Sequence, residues 1–309
     1  DVCSSDLLII TSILLLCVDS LRSEITIGTW NIQNLGLSKV ENEFIVDYIC
    51  KIIHKHKLLA IQEISDADGK AMKKLMSILN RAFPKENYDL LVSARVGSTG
   101  YVEQYGIIYN KNLFTLEEIG LYKGKKKFRR PPYFVTVRNK SDRGVAFGLG
   151  VIHTSPPEAV EEIDGLADAA DWYSNISKVN EVMVMGDFNC DCRYVGRKDY
   201  QNISLYTRSE FRWLVPSCFD TTVRSATYCA YDRIVIRGES LFSAIVPEST
   251  QVFEFRKFYK LEESDALKIS DHFPVQLQLK DENWSYKQSH KEIRLLSDIN
   301  FENEQVYSR

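Results

Sequence analysis

The 309-residue sequence lacks a charge excess of either sign, with 39 Lys and Arg against 42 Asp and Glu. Attraction of the whole chain to a polyanion is thereby excluded, and any nucleic acid must be held by a local site. Internal repeats and low-complexity linkers are also missing, so the chain is not an array of small modules. A membrane-spanning run is lacking too: the apolar stretch "LLIITSILLLCV", Leu7 to Val18, is too short to cross a bilayer comfortably. Bounded by Asp6 and Asp19, it reads as the h-region of a signal peptide over residues 1–20, with Val18 and Ser20 at the −3 and −1 positions of a cut. A buried helix or strand is the other reading. There is no initiator Met and no basic n-region, and the opening "DVCSSDL" resembles the translation of a sequencing adapter. Removal of residues 1–20 deletes three acids and no base, leaving 39 of each.

Acids are absent from Ile119 to Ser141, and within that span "KGKKKFRR", Lys123 to Arg130, has six basic residues in eight. The cluster reads as a solvated loop or as a phosphate-contacting one. A nuclear signal is a third reading, disfavoured by the secretory N-terminus. After Lys280 the sequence turns polar and irregular, so residues 281–309 read as a tail and residues 22–280 as one sizeable domain.

Within that domain short β-type runs alternate with amphipathic helical patterns. "EITIGTWNIQ" and "LLAIQEI" read as strands, separated by "EFIVDYICKIIHKH" with Phe44, Ile45, Tyr48, Ile49, Ile52 and Ile53 on one helical face. A helix over about 69–82 is followed by "YDLLVSAR", "YVEQYGIIYN", "YFVTVRN" and "VAFGLGVIHT", four strands without helices between them. A helix after Pro156-Pro157 to about Tyr173 then precedes the strands "EVMVMG", "YDRIVIRG" and "FPVQLQLK". Mixed βα and ββ order with near-continuous apolar strands predicts sheets covered by helices, an α/β class of layered domain.

Polar residues recur where these apolar runs begin, end or are interrupted: Asn31, Glu63, Glu103, His153, Asp187 with Asn189, Asp232, and Asp271-His272. One such residue is ordinarily a turn or cap. Seven segments doing so together predict a shared polar cleft at one edge of the sheets, since buried carboxylates and imidazoles are costly unless paired or metal-bound. Glu63, Asp187 and Asp271 offer hard oxygens suited to Mg²⁺, Mn²⁺ or Ca²⁺. Asn31 and Asn189 can hydrogen-bond phosphate without adding negative charge. His153 and His272 can exchange protons near neutrality when Glu103 and Asp232 orient their rings. Together they describe phosphoester hydrolysis. The stretch "MGDFNCDC", 185–192, leaves two further readings open, a thiolate zinc site and a plain turn.

These residues resemble the DNase I family within the endonuclease, exonuclease and phosphatase superfamily. "TWNIQNLG", "IQEI", "VEQYG", "MVMGDFN" and "ISDHFPV" occur in the family's order, over about residues 24–279. "HTSPPEAVEEI", "FRWLVP" and "CAYDRIVI" favour the DNase I branch. The resemblance implies a four-layer α/β sandwich of two packed mixed β-sheets flanked by helices. It also implies a secreted, divalent-metal-dependent endodeoxyribonuclease, using Mg²⁺ or Mn²⁺ with Ca²⁺, that leaves 5′-phosphate and 3′-hydroxyl ends. Asn31, Glu63, Asp187, Asn189 and Asp271 would hold metal and scissile phosphate, and His153–Glu103 and His272–Asp232 would be the acid–base pairs. Tyr101, Arg130 and Tyr231 would contact substrate, and Asp220, Thr222 and Thr227 would form one structural calcium site. The family's second, acidic calcium loop has no counterpart, because "YKGKKKFRRPPYF" stands there. Gln33 and Ser65 stand where arginines of the family usually enter the minor groove, a loss that Lys123 to Arg130 would offset with phosphate contacts. The strand matching the family's actin contact, "DLLVSA", differs in its side chains, so actin binding is not carried over and a monomer is expected. Since "GDFN" and "SDHFPV" mark only the superfamily, a phosphatase or sphingomyelinase is the alternative enzyme. A catalytically weak secreted DNA-binding module is the other alternative.

The resemblance also implies a disulfide between Cys192 and Cys229, consistent with secretion. Cys190 and Cys218 are left for a second bridge, with Cys50 buried and free. A Cys₄ zinc site of residues 190, 192, 218 and 229 is the rival.

Overall fold

A computed structural model describes residues 25–98, 101–140 and 146–280. The signal peptide assigned to residues 1–20 and the tail assigned to 281–309 lie outside the described residues. The chain opens a first sheet with β1 (Ile25–Leu35), β2 (Leu58–Ile64), β3 (Tyr88–Val92), β4 (Val96–Ser98) and β5 (Tyr101–Asn110). It then lays down a second sheet of β6 (Phe114–Leu121), β7 (Tyr133–Asn139), β8 (Ala146–His153), β9 (Val182–Asp187), β10 (Phe211–Trp213) and β11 (Asp232–Arg237). It returns to the first with β12 (Gln251–Val252) and β13 (Val275–Leu279). The strand orders are β12-β13-β1-β2-β5-β3, with β4 also on β5, and β10-β11-β9-β8-β7-β6.

Each sheet is mixed in the same way: one central parallel pair, β1 with β2 and β8 with β9, is flanked by antiparallel strands. The crossover of each parallel pair carries a helix, α1 (Glu43–His54) for the first and α3 (Ala159–Ser177) for the second, while α2 (Lys70–Ala82) joins β2 to β3. Strand alternation then sets the layers. Ile25, Ile27, Leu58, Ala60 and Ile107 of the first sheet meet Val135, Leu149, Val151, Met183, Met185 and Ile234 of the second in the central core. The opposite faces bury Trp30, Ile32, Leu59 and Ile61 against α1 and α2, and Phe134, Ile152, Val184 and Val235 against α3. The result is the four-layer α/β sandwich.

Two local expectations change. In α1 the buried stripe takes Val46, while Phe44 stands exposed, its ring 5.0 Å from that of Tyr48. The helix after Pro156-Pro157 begins with a short 3₁₀ turn and runs on to Ser177, where Lys178 closes it in the left-handed region.

No helix among the described residues is long and apolar enough to cross a membrane.

Candidate active site

The C-terminal ends of both parallel pairs open on the same edge, where the polar residues collect. In the second sheet His153, Asp187 and Asp232 lie side by side in register on β8, β9 and β11. Gly186, with φ of +146°, brings β9 against β8 just before Asp187, and a Cβ there would fall 1.8 Å from the Ile152 carbonyl oxygen. Only glycine fits this approach. In the first sheet the β1–β2 ladder breaks its register between Asn31 and Leu35, and the chain takes positive φ at Gln33, Asn34 and Glu63. Asn189 after β9 does the same. Such conformations are costly for non-glycine residues and cluster where side chains must be aimed.

Asn31 links the two sheets, its Nδ2 donating to Glu63 Oε1 at 2.9 Å and to Asp187 Oδ2 at 3.1 Å. Glu63 Oε2 accepts the Asn34 amide at 2.8 Å, and Asp187 Oδ1 accepts the Asn189 amide at 2.9 Å. Asn189 is fixed through its own Nδ2 to the Thr154 carbonyl. His153 places Nδ1 3.0–3.1 Å from both oxygens of Glu103, and His272 places Nδ1 2.7 Å from Asp232 Oδ2. The far nitrogens converge: Nε2 of His153 and of His272 lie 3.5 and 3.7 Å from Asp187 Oδ2. These distances are too long for hydrogen bonds and close enough for strong electrostatic coupling.

Burial opposes charge on both imidazoles, but the carboxylates override it. Glu103, then Asp187, raise His153, and Asp232 with Asp187 raise His272 well above the usual histidine value. Burial would lift Asp187, yet the two imidazoles bring it below the usual carboxylate range. Asp232 is raised, chiefly by burial against the pull of His272. Its Oδ1 is buried without a hydrogen-bond partner among the described residues.

Of the remaining substrate-contact candidates, Arg130 is buried, with Nε and an Nη donating at 2.8 Å to the carbonyls of His153 and Thr154. It also lies 3.7 Å from Glu103. Tyr231 is half-buried, its ring 6.2 Å from that of His272. Tyr101 begins β5, and its side chain lies outside the described residues. Asp271, just before β13, makes no side-chain hydrogen bond or ion pair among the described residues.

Lys39 escapes the sequence reading. Its Nζ donates to the carbonyls of Ile32, Gln33 and Ile269, joining the end of β1 to the segment that carries Asp271 and His272. Burial lowers its pKa to about 8, while Glu63 and Asp271 pull it up. Ser270 Oγ donates to the Asn31 carbonyl and Trp30 Nε1 to the His272 carbonyl across the same seam. No periodicity signals a lysine whose partners lie so far apart in the chain.

Metal fit follows from the donors. Glu63, Asp187 and Asp271 would offer carboxylates of the hard kind that suits Mg²⁺ or Mn²⁺, though the three do not bring their ligand atoms within 4.8 Å of one another. Asn31 turns its Nδ2 toward Glu63 and Asp187, while its Oδ1 accepts the Gln33 amide. Asp187, Asp232 and His272 do present ligand-type atoms within 4.8 Å of one another. His272 Nδ1 is engaged by Asp232, while its Nε2 lies 3.7 Å from Asp187 Oδ2. At the other candidate site, Asp220 Oδ1 accepts from the Thr222 amide and hydroxyl, and the same hydroxyl lies 3.2 Å from the Thr227 carbonyl. Carboxylate, hydroxyl and carbonyl oxygens are a set that fits Ca²⁺.

Cys192 and Cys229 are bridged, which removes the zinc reading. The second bridge is not formed. Cys190 is buried with Sγ 3.4 Å from the Tyr200 hydroxyl, whereas Cys218 is exposed and free. Cys50 is buried and free. Asp191, read as part of a turn, accepts the Ala230 amide and helps tie the bridged segments together.

The sequence model of the Endonuclease/Exonuclease/phosphatase family matches residues 28–272. Deoxyribonuclease gamma of Rattus norvegicus is 36% identical over 273 residues, covering 86% of this chain and 88% of the relative. Deoxyribonuclease-1 of Bos taurus is 36% identical over 262 residues, covering 82% and 91%. Among solved structures, truncated Caenorhabditis elegans TDP2 aligns with a TM-score of 0.55 at 14% identity, over 83% of this chain and 97% of that one. The human Nocturnin catalytic domain with bound sulfate aligns at 0.54 and 17% identity, over 84% and 94%. At such identities these structures speak for the fold alone. The chain belongs to the Endonuclease/Exonuclease/phosphatase family and, within it, to the deoxyribonucleases of the DNase I type.

Proposed function

We propose that the protein is a secreted, divalent-metal-dependent endodeoxyribonuclease that hydrolyses DNA phosphodiesters to 5′-phosphate and 3′-hydroxyl ends. The observation that carries the reading is the convergence of two carboxylate-backed imidazoles on Asp187 Oδ2. One imidazole takes a proton from the attacking water as the new P–O bond forms. The other gives a proton to the 3′ oxygen as its bond to phosphorus breaks. Glu103 and Asp232 hold each ring by Nδ1 and keep Nε2 aimed at the reacting atoms. Asn31 and Asn189 orient the phosphate, with Arg130, Tyr101 and Tyr231 supporting the substrate. Glu63, Asp271, Asn31 and Asp187 would hold Mg²⁺ or Mn²⁺, which when bound neutralises phosphate charge and stabilises the charge that builds in the transition state. Asp220, Thr222 and Thr227 would hold a structural Ca²⁺.

The domain is taken as residues 22–280, acting as a monomer on DNA without actin as a partner. A disulfide in a chain that opens with a signal-peptide pattern favours the extracellular space. The test is degradation of supercoiled plasmid with Mg²⁺ and Ca²⁺, read for end chemistry. Wild-type cleavage that stops with EDTA, and that is lost in His153→Ala and His272→Ala, is the expected result. Undiminished cleavage by either variant would sink the mechanism.

A further inference from the structure

The catalytic edge gathers the carboxylates Glu63, Glu103, Asp187, Asp232 and Asp271, an unfavourable field for a polyanion. Gln33 and Ser65, at the ends of β1 and β2, are neutral. The basic loop between β6 and β7 divides its six charges in two. Lys126 is used by the fold, with Nζ 2.9 Å from Asp164 and 3.7 Å from Asp168 on α3 and its amide donating to the Tyr122 hydroxyl. Arg130 is used as well, buried on the His153 and Thr154 carbonyls. The loop is clamped at further points. The Tyr122 amide donates to the Pro132 carbonyl, the Tyr122 ring packs 5.4 Å from Phe128 and 5.3 Å from Trp172, and Glu162 accepts the Arg129 amide. Lys123, Lys125, Lys127 and Arg129 remain: all are exposed, and their side chains make no hydrogen bond or ion pair among the described residues.

We propose that this loop is a backbone-phosphate subsite in which Lys123, Lys125, Lys127 and Arg129 hold the DNA strand flanking the scissile phosphate, while Lys126 and Arg130 fix the loop to α3 and to His153. The proposal rests on DNA being the substrate. Chain geometry keeps the four cations within roughly 25 Å of the His153 segment, a reach of several nucleotides. A clamped loop loses less conformational freedom on binding than a floppy basic tail. Contacts to phosphates carry no base information, so the subsite strengthens binding on any sequence and makes it depend on salt.

The test compares wild type with K123A/K125A/K127A/R129A, which leaves both anchors in place. Binding of a fluorescent 20-base-pair duplex is followed across NaCl concentrations in the inactive His272→Ala background. Cleavage of plasmid and of a small chromogenic phosphodiester is followed with active protein. The slope of log affinity against log salt should flatten by about 0.9 for each phosphate that no longer meets a cation. Plasmid kcat/KM should fall at least about ten-fold more than that of the small diester, which is too short to reach the loop. An unchanged slope and an unchanged ratio would overturn the proposal. So would lost binding to phosphatidylserine vesicles with the DNA values intact, which would assign the loop to a membrane surface. If the quadruple variant folds poorly, K125E at an exposed position is judged by the same criteria. A wild-type chain that cleaves no DNA under Mg²⁺, Mn²⁺ or Ca²⁺ would instead remove the nuclease reading on which the subsite depends.

Discussion

His153 ends β8 of one sheet and His272 precedes β13 of the other, yet their Nε2 atoms lie 3.5 and 3.7 Å from the same oxygen, Asp187 Oδ2. The pairing exists because both sheets expose the ends of their parallel pairs on one edge. Each imidazole is held from behind by a buried carboxylate, Glu103 for His153 and Asp232 for His272.

If the histidines serve one reaction, their losses do not add. His153→Ala and His272→Ala should each lower kcat about 10²- to 10⁴-fold, the range for a lost acid or base. The double variant should fall well short of the product of the two, because a site missing one partner no longer uses the other. Glu103→Gln, which keeps the shape and removes the charge facing His153, should cost less than His153→Ala. Single-turnover cleavage of a defined duplex measures all four, and strict multiplicativity of the histidine effects would contradict the paired reading.

Lys39 should matter as much as a residue that touches substrate. Lys39→Met leaves the Ile32, Gln33 and Ile269 carbonyls without their shared donor and frees the seam between Asn31 and the Asp271-His272 segment. Losing a charged donor to several carbonyls costs about 2–4 kcal/mol of stability. We expect that loss in urea unfolding, a weaker response to Mg²⁺ in a metal-titrated melting curve, and at least about a ten-fold loss of kcat. Lys39→Arg should recover stability in part, since a planar guanidinium does not reproduce three converging donors. A Lys39→Met protein with wild-type stability and Mg²⁺ response would refute the seam's importance.

The strands and helices that carry the site were legible in sequence because their signals are local. Period-two runs and the stripe on α1 gave elements near their observed ends, and strand-end polar residues indicated one edge. What was not legible depends on contacts across the chain. β6, "FTLEEIGL", mixes acids with apolar residues at an exposed sheet edge and breaks register between Glu118 and Gly120, so its alternation is spoiled. Cys190 and Cys218 looked like a pair by elimination, but one faces the core beside Tyr200 and the other faces solvent. The division of Lys123 to Arg130 into anchors and free cations depends on α3, which lies across the loop.

His56 supplies a stability prediction away from the site. It is fully buried, with Nδ1 2.9 Å from the Ile52 carbonyl and Nε2 without a hydrogen-bond partner among the described residues. Burial depresses its pKa from 6.5 to about 4. In the unfolded chain the ring takes up a proton as pH falls through 6.5, whereas the folded chain resists until about 4. Folding stability is therefore lost as pH drops across that window and is retained above it. Between pH 7 and 5 the loss from this residue is about 2 kcal/mol. Urea unfolding at the two pH values should show a difference smaller by that amount in His56→Gln, and an equal difference in both proteins would exclude His56 as the source.

The last prediction joins the disulfide to the Asp220 cluster. Cys229 is bridged to Cys192, its amide donates to Asp220 Oδ1 at 3.1 Å, and Asp191 holds the next amide, that of Ala230, at 2.7 Å. These ties fix the segment that enters β11 and presents Asp232 to His272. Cys192→Ser should lower stability by about 2–4 kcal/mol, the usual range for a bridge that closes a loop of this order. Ca²⁺ should raise the melting temperature of the wild type, by the equivalent of about 2.7 kcal/mol when the ion stands at one hundred times its Kd, and Asp220→Ala should abolish that rise. Because both changes loosen one segment, the double variant should depart from additivity by at least about 0.5 kcal/mol. Melting curves of the four proteins with Ca²⁺ and with EGTA measure each term. Strict additivity, or a Ca²⁺ shift that survives Asp220→Ala, would place the ion elsewhere and separate the bridge from it.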